Sequence, residues 1–169
     1  MVIVNNNRVI FSIRSFLIGN MITSYHMIDL VVFIIANMTN LLLTVMFFLR
    51  ARGRPKIGFS IGLFSVALGI PLAVVGIANL LGGRPWWTVV LPGLLVLYDT
   101  IEFLLDYVLK FDFRHSLWLG PYLCLYYLAL MGMIGYSFIV RKPFGYITLA
   151  TYFINLAATA YSFSHVGHQ

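Results

Sequence analysis

Charged residues are scarce in this sequence. Only 9% of the 169 residues are Asp, Glu, Lys or Arg, whereas 61% are apolar. A soluble domain carries roughly 25% charged residues, because its outside must be wetted by water. The chain lacks the polar coat of a soluble domain, so its composition predicts an integral membrane protein.

Cysteine is nearly absent as well. The single cysteine, Cys124, lies inside an apolar stretch, which excludes a disulfide within the chain and a dithiol redox pair. The sequence also contains no His-Glu-x-x-His, no P-loop and no Gly-x-Ser-x-Gly. It therefore lacks the local motifs of zinc proteases, P-loop nucleotide hydrolases and α/β-hydrolases.

Long apolar runs take up most of the length. A spanning helix needs about 20 mostly apolar residues, and the sequence predicts five such helices, at residues 28–49, 57–81, 88–109, 118–140 and 146–163. The predicted fold class is an all-α integral membrane protein, a bundle of about five transmembrane helices forming a single domain over residues 28–169. Within the second span, Pro71 predicts a kink, and Gly58-x-x-x-Gly62 predicts close packing against another helix.

Residues 1–27 precede the first predicted span. Apolar residues recur there at helical spacing, with Arg8 and Arg14 between them, which predicts a short amphipathic helix lying in the membrane interface. A signal peptide fits less well, because Arg14 breaks the apolar run and no small-residue cleavage site follows. A start at Met21, with residues 1–20 as an upstream extension, is the alternative.

The net charge of +6 does not indicate a nucleic-acid partner, because the basic residues lie in short runs between apolar segments. Membrane topology and anionic lipid headgroups explain such runs, so the expected partner is the lipid bilayer. With the N-terminus outside, the inner loops hold six Lys and Arg residues. The outer side holds three, or five if Arg8 and Arg14 are counted. This asymmetry predicts an outside N-terminus and a cytoplasmic C-terminus.

The acidic residues are few and concentrated in one place. Four of the five, Asp99, Glu102, Asp106 and Asp112, lie in the third predicted span or directly after it. On an α-helix the first three fall within roughly 60° of one another and form a single stripe. Asp99 is placed near the bilayer midplane, where an ionised carboxylate costs about 2.5–3.5 kcal/mol on insertion scales. Such groups face the bundle interior, a cavity or a bound cation.

This stripe supports two interpretations. As a substrate or ion site, Asp99, Glu102 and Asp106 would be completed by amides on other spans: Asn37, Asn40, Asn79 and Asn155. As packing, the same acids would hydrogen-bond to Asn, Tyr and Thr side chains of neighbouring helices. Lys110, four residues after Asp106, would then be the ion partner of that carboxylate.

Histidine gives a weaker signal for a metal. His165 and His168 have the i,i+3 spacing that lets two imidazoles bind one ion, and an inner-face cluster with His115 and Asp112 is geometrically feasible. A divalent metal is therefore a candidate cofactor. The alternative is that these histidines bind nothing, because both lie in the last five residues, where chains often fray.

The spacing Asp99-x-x-Glu102-x-x-x-Asp106 superficially resembles the Asp-rich helices of membrane prenyl- and phosphatidyl-transferases, which hold Mg²⁺ between carboxylates. The glycine, alanine and arginine that accompany the phosphotransferase motif are missing from this sequence, so no family is assigned.

Three functions are consistent with these features. The favoured hypothesis is a small carrier or channel-like protein for a cation, a proton or a cationic solute. The second is a non-catalytic subunit or scaffold, which packs against a larger membrane complex or a second copy of the chain. The third is a metal-dependent enzyme acting on a lipid or isoprenoid, with Arg50, Arg52 and Arg54 steering a phosphate. The enzyme is the least favoured, because three carboxylates from one helix are a thin ligand set for Mg²⁺.

Overall fold

The computed structural model describes the backbone of residues 6–111 and 116–166 and the side chains of residues 25–54, 56–111 and 116–165. Two compact units divide the chain, residues 1–31 and 32–169. Nearly all of the described backbone is helical, and this part of the chain contains no strand. The predicted all-α fold is confirmed.

The helices follow one another with short connections. They are α1 (Asn6–Ala51), α2 (Pro55–Ala67), α3 (Gly69–Leu81), α4 (Trp87–Glu102), a π-helix (Phe103–Val108), α5 (Leu119–Val140) and α6 (Lys142–Val166). Within the described residues, four helical stretches are long and apolar enough to cross a membrane: Tyr25–Ala51, Lys56–Leu81, Trp87–Val108 and Leu119–Val140. They coincide with the first four predicted spans, and the chain is a multi-pass integral membrane protein.

The fifth predicted span lies inside α6, which has 25 residues but more polar side chains than the other spans. Contacts at matching positions join it to α1: Phe33–Phe144, Asn37–Thr148 and Asn40–Thr151. Both polar pairs are 111 positions apart, so the two helices run in the same direction. A first and a fifth crossing must share a direction, and this parallel pairing favours α6 as a fifth span, which stays a prediction.

The bundle has apolar side chains on its outside, while its interior combines an apolar core with buried polar groups. On α3, Ile70, Val74, Ile77 and Leu81 recur at helical spacing and are between 58% and 82% exposed. Water would penalise such a face, whereas lipid tails are as apolar as these side chains. The interior, by contrast, holds fully buried hydroxyl and amide groups, among them Asn79, Thr88, Thr148 and Asn155. This distribution is the one expected of a protein dissolved in lipid.

The second predicted span is interrupted at Leu68, between α2 and α3. Pro71 has no N–H for the carbonyl of Ala67, four residues earlier, and its ring crowds that carbonyl. The N–H of Leu68 instead bonds the carbonyl of Ser65, three residues back, at 3.0 Å. Leu68 itself keeps helical dihedral angles, φ −66° and ψ −19°, so the interruption is local, and the kink predicted from Pro71 stays a prediction.

Glycine lets helix backbones approach at two places. A Cβ on Gly58 would lie 3.6 Å from the backbone oxygen of Met46, so α2 packs closely on α1, as the Gly58-x-x-x-Gly62 pattern predicted. A Cβ on Gly132 would lie 3.2 Å from the backbone oxygen of Leu91, which places α5 directly against α4. The contact at Gly132 is tighter than ordinary van der Waals packing, whereas a Cβ on Gly58 would be in ordinary van der Waals contact.

The helix α1 begins at Asn6, inside the segment predicted as a leader. That this segment lies in the membrane interface, and that Met21 is the true start, both stay predictions. The orientation of the termini stays a prediction too.

We expect Gly132→Leu to destabilise the bundle by about 1–3 kcal/mol, because the added side chain pushes α5 away from the backbone of α4. Thermal unfolding of the detergent-purified protein measures this as a lower melting temperature. Gly93→Leu is the matched control, since nothing lies within 4 Å of a Cβ at that exposed helical position. Equal melting temperatures for the two variants would contradict the close approach of α4 and α5.

Candidate functional site

The acidic residues of the third span divide into a buried pair and a half-buried third member. Asp99 and Glu102, in the last turn of α4, are only 4% and 6% exposed, and they are close enough to interact electrostatically. Asp106 is half-buried and lies in the π-helix. The predicted stripe thus has two fully buried members, one helical turn apart.

Asp106 lies in a different type of helix from this pair, the π-helix Phe103–Val108. Its turns are wider, with the N–H of Leu109 donating to the carbonyl of Leu104, five residues earlier, at 2.8 Å. The sequence predicted an α-helix throughout 88–109, and that geometry is wrong for Phe103–Val108. The helix also ends before Lys110, whose φ is 49°. Pairing of Lys110 with Asp106 was predicted from their i,i+4 spacing on a helix. Because the helix ends before Lys110, that spacing no longer implies that the two side chains share a helix face.

Asp99 lies against the start of α3. Its Oδ2 atom is 2.8 Å from where a Cβ on Gly69 would stand, so only glycine leaves room for the carboxyl group there. This oxygen is buried and has no hydrogen-bond partner among the described residues. The break at Leu68 is next to Gly69, and the acid thus faces the point at which the second span is interrupted.

Glu102 is held by two phenols from different helices. Tyr98, one turn earlier on α4, donates its hydroxyl to Oε2 of Glu102, and Tyr122 on α5 donates to the same oxygen at 2.5 Å. The two hydroxyl oxygens are 2.8 Å apart. Hydrogen bonds to an ionised acceptor are stronger than neutral ones, so this arrangement accommodates a charged carboxylate and also leaves it hydroxyl neighbours for proton exchange.

A third phenol connects this region to α6. Tyr126 is 5% exposed, and its ring centroid is 5.3 Å from that of Tyr98. Asn155 on α6 donates its Nδ2 to the hydroxyl of Tyr126 at 2.8 Å. The Oδ1 atom of Asn155 has no hydrogen-bond partner in the described part of the chain. Asn155, a predicted site residue, is thus brought to the tyrosines that surround Glu102.

The predicted amides Asn37 and Asn40 lie where α1 meets α6. Asn37 donates to Thr148 at 3.2 Å and accepts from Thr151 at 2.9 Å. Asn40 donates to Thr151 at 3.1 Å, while its own Oδ1 has no partner among the described residues. These amides therefore join α1 to α6, and Oδ1 of Asn40 is the one acceptor of the pair that has no partner among the described residues.

Asn79 does not belong with the acids. It donates to the carbonyl of Thr88 at 2.9 Å and accepts from Arg84 at 3.1 Å, which closes the connection between α3 and α4. Thr88 precedes Asp99 by eleven residues, so this amide lies about 16 Å away along α4. Its hydrogen bonds place Asn79 in the turn, and its part in a polar lining stays a prediction.

Sequence reasoning did not place Tyr122 and Tyr126 among the site residues, nor the hydroxyls of Thr148 and Ser137. The i,i+4 spacing of Tyr98 with Glu102 was a usable signal, because such neighbours share a helix face. For the two tyrosines of α5 no local signal exists, since their proximity to Glu102 depends on the packing of α4 against α5.

The predicted metal cluster is only partly within the described residues. His165 is exposed, and its Nδ1 atom lies 3.0 Å from the hydroxyl of Ser164 and 2.9 Å from the carbonyl of Tyr161. His168, His115 and Asp112 lie outside the described residues, so their part in a metal site stays a prediction. Where the structure describes the chain, no three His, Cys, Asp or Glu side chains form a group that would hold a metal ion.

Comparisons with known proteins add no further constraint on this site. The chain matches no known family, no curated protein and no solved structure.

Proposed function

We propose that this protein is a small carrier or channel-like protein that binds a cation, a proton or a cationic solute at Asp99 and Glu102. The observation that supports the proposal most directly is the Oδ2 atom of Asp99, which is buried and has no hydrogen-bond partner among the described residues. A carboxyl group in that position is stabilised by taking up a proton or by binding a cation.

The distribution of positive charge points the same way. In the described part of the chain from residue 32 onward, every Lys and Arg lies at a helix end or in a connection: Arg50, Arg52, Arg54, Lys56, Arg84, Lys110, Arg141 and Lys142. None of these fixed charges lies within α4 beside Asp99, so a positive charge at that carboxyl group would have to be a bound proton or cation. Binding that is reversible is what a carrier requires.

The surroundings of Asp99 also allow movement. The break at Leu68 and the proline at position 71 weaken the second span next to the acid, because both remove regular helical hydrogen bonds. A helix that bends at this point would change the space at Gly69, into which Oδ2 of Asp99 projects. Interrupted spans near the bilayer midplane are where secondary transporters place their ion sites.

We expect a cation or a fall in pH to raise the melting temperature of the purified protein, because a ligand bound only by the folded state stabilises it by mass action. An ion present at about 100 times its Kd would stabilise the fold by about 2.7 kcal/mol. Asp99→Asn and Glu102→Gln should abolish this response and the uptake of the ion by proteoliposomes, while the variants remain folded.

The control for these variants is Thr100→Val. Thr100 is exposed and bonds only the carbonyl of Val96, so its loss should leave the ion response intact. Wild-type uptake by Asp99→Asn and Glu102→Gln would refute the carrier. If no ion acts and both variants melt at lower temperature, the carboxylates are packing groups, and the subunit or scaffold hypothesis takes precedence.

We expect Gly69→Ala to weaken ion binding at least tenfold, because its Cβ would stand 2.8 Å from Oδ2 of Asp99 and displace that carboxyl group. Isothermal titration with the ion found in the thermal scan measures the change. Gly76→Ala on the same helix is the matched control, since nothing lies within 4 Å of a Cβ there. Unchanged affinity in Gly69→Ala would place the site elsewhere.

A metal-dependent lipid enzyme has less support. It requires a set of carboxylates able to hold a divalent ion, and the described residues contain no group of three His, Cys, Asp or Glu side chains placed to do so. Metal-dependent turnover of a lipid phosphate remains the observation that would favour it.

A further inference from the structure

Four basic side chains lie exposed at one end of the bundle. Arg52 and Arg54 are in the connection between α1 and α2, Lys56 is in the first turn of α2, and Lys110 follows the π-helix after one residue. All four are exposed, and we call them the basic patch. They adjoin the ends of three of the apolar stretches that are long enough to cross a membrane. The basic patch therefore lies at the level of the lipid headgroups.

The connection between α1 and α2 is a tight turn of defined geometry. Gly53 has a φ of 68°, which glycine adopts without strain. The N–H of Arg54 bonds the carbonyl of Leu49 at 2.9 Å, and together these features form the Schellman motif that ends α1. The helix α2 then begins at Pro55, a residue suited to the first position of a helix. The side chains of Arg52, Arg54 and Lys56 thus leave the backbone within a single turn.

Packing of the π-helix against α2 brings Lys110 to the same end. Tyr107 donates its hydroxyl to the carbonyl of Phe59 at 3.1 Å, whereas Asp99 lies against Gly69, so the second and third spans run antiparallel. Lys110 is three residues beyond Tyr107, in the direction away from the bundle interior. Lys56, three residues before Phe59, therefore lies at the same level, and the basic patch combines two connections.

Few carboxylates are available to balance these charges. The sequence contains no Asp or Glu between residues 30 and 98. Asp106, one turn before Lys110, is half-buried, and Asp112 lies outside the described residues. Even if both acids are counted, four positive charges meet two negative ones. The basic patch therefore has an excess of positive charge.

Basic side chains in other parts of the chain are engaged by the protein itself. Arg84 donates to Asn79 at 3.1 Å, and the guanidinium of Arg141 is 5.7 Å from the ring centroid of Phe144. The side chains of the basic patch, by contrast, make no hydrogen bond, ion pair or ring contact among the described residues. They are thus available to a ligand that is not part of this chain.

The helix face that carries Lys56 becomes apolar towards the membrane interior. Residues 60, 63 and 67 follow Lys56 at helical spacing on this face, and all of them are exposed. Leu63 and the neighbouring Phe64 are 42% and 53% exposed. This surface of α2 is therefore basic at the level of the headgroups and apolar at the level of the lipid chains.

We propose that the basic patch binds an anionic phospholipid, with the phosphate at Arg52 and Arg54 and an acyl chain along Leu63 and Phe64. The lipid site is separate from Asp99 and Glu102 and does not depend on the proposed carrier function. It assigns to the connection between α1 and α2 a ligand of defined chemistry.

The chemistry of the residues matches that of the lipid. Each guanidinium is a planar fork that can donate two parallel hydrogen bonds to a phosphate group. The start of α2 has no side-chain cap, so the partial positive charge of its N-terminus adds to that of Lys56. Clusters of four or more Lys and Arg beside a membrane span are typical of anionic-lipid binding. A soluble phosphate would use only the charges, whereas a phospholipid also uses the apolar face of α2.

The test is lipid binding by the full-length protein in detergent, measured by native mass spectrometry as lipid is titrated. We expect phosphatidylglycerol to bind about tenfold more tightly than phosphatidylcholine, because only the former has a net negative headgroup. Arg52→Gln combined with Arg54→Gln should remove this preference. The melting temperature of that variant should stay near that of the wild type, since both side chains are exposed.

Two matched pairs of variants separate the site from general effects. Lys56→Gln should weaken binding of phosphatidylglycerol about fivefold, whereas Lys142→Gln, which replaces an exposed lysine at the start of α6, should leave it unchanged. Leu63→Ala should weaken binding about threefold. Leu80→Ala removes another exposed leucine, on α3, and should have no effect.

Competition with soluble phosphates distinguishes the two sources of the headgroup. We expect neither inorganic phosphate nor glycerophosphoglycerol to displace the lipid at equal concentration, because neither contacts the apolar face. Displacement by either would overturn the assignment to a phospholipid.

The remaining outcomes also decide the proposal. Equal binding of the two lipids by the wild type, or an unchanged preference in the variant that lacks both arginines, would overturn the site. Equal losses in Lys56→Gln and Lys142→Gln would show that net charge alone attracts the lipid, which would overturn it too. Ion binding at Asp99 and Glu102 is measured separately, and its failure would leave the lipid site standing.

Discussion

The structure depends on one constraint, which is that a polar group inside the bilayer has no water to bond and must find a partner within the protein. Each helix satisfies the hydrogen bonds of its backbone internally, but its polar side chains need partners on other helices. Asn37 and Asn40 meet this requirement by bonding Thr148 and Thr151, and in doing so they set the register and the parallel direction of α1 and α6. Buried amides thus act as the specific contacts of a bundle whose apolar surfaces all resemble one another.

The two buried acids differ in how far this requirement is met. Glu102 is supplied with two phenolic donors from α4 and α5, whereas Oδ2 of Asp99 is buried beside Gly69 with no such donor among the described residues. Both departures from regular α-helix in this region adjoin them: the break at Leu68 faces Asp99, and the π-helix follows Glu102 directly. Wide or broken turns occur often at functional sites, and here they coincide with the only fully buried acids that the structure describes.

Much of the site could be predicted from residue type and depth. Asp99 and Glu102 were predicted as a buried pair because carboxylates near the midplane must face the interior, and both are. Asn79 was predicted with them on the same reasoning, yet it serves the turn before α4, because a buried amide is equally suited to closing a connection. The π-helix that carries Asp106 was not predicted, because the change from α-helix to π-helix at Phe103 has no counterpart in the apolar pattern, which is the same for either helix.

Composition and hydropathy by themselves determined that this is an all-α membrane protein, where four of its spans lie and which span carries the acids, because those properties follow from transfer of each residue into lipid. The tertiary structure alone decided which groups meet. The tyrosines of α5 reach Glu102, and Asn155 of α6 reaches Tyr126, through helix packing between residues 20 to 29 positions apart in the chain. No local pattern encodes such contacts, since they depend on the rotation and direction of each helix in the bundle, which are set by the side chains of its neighbours.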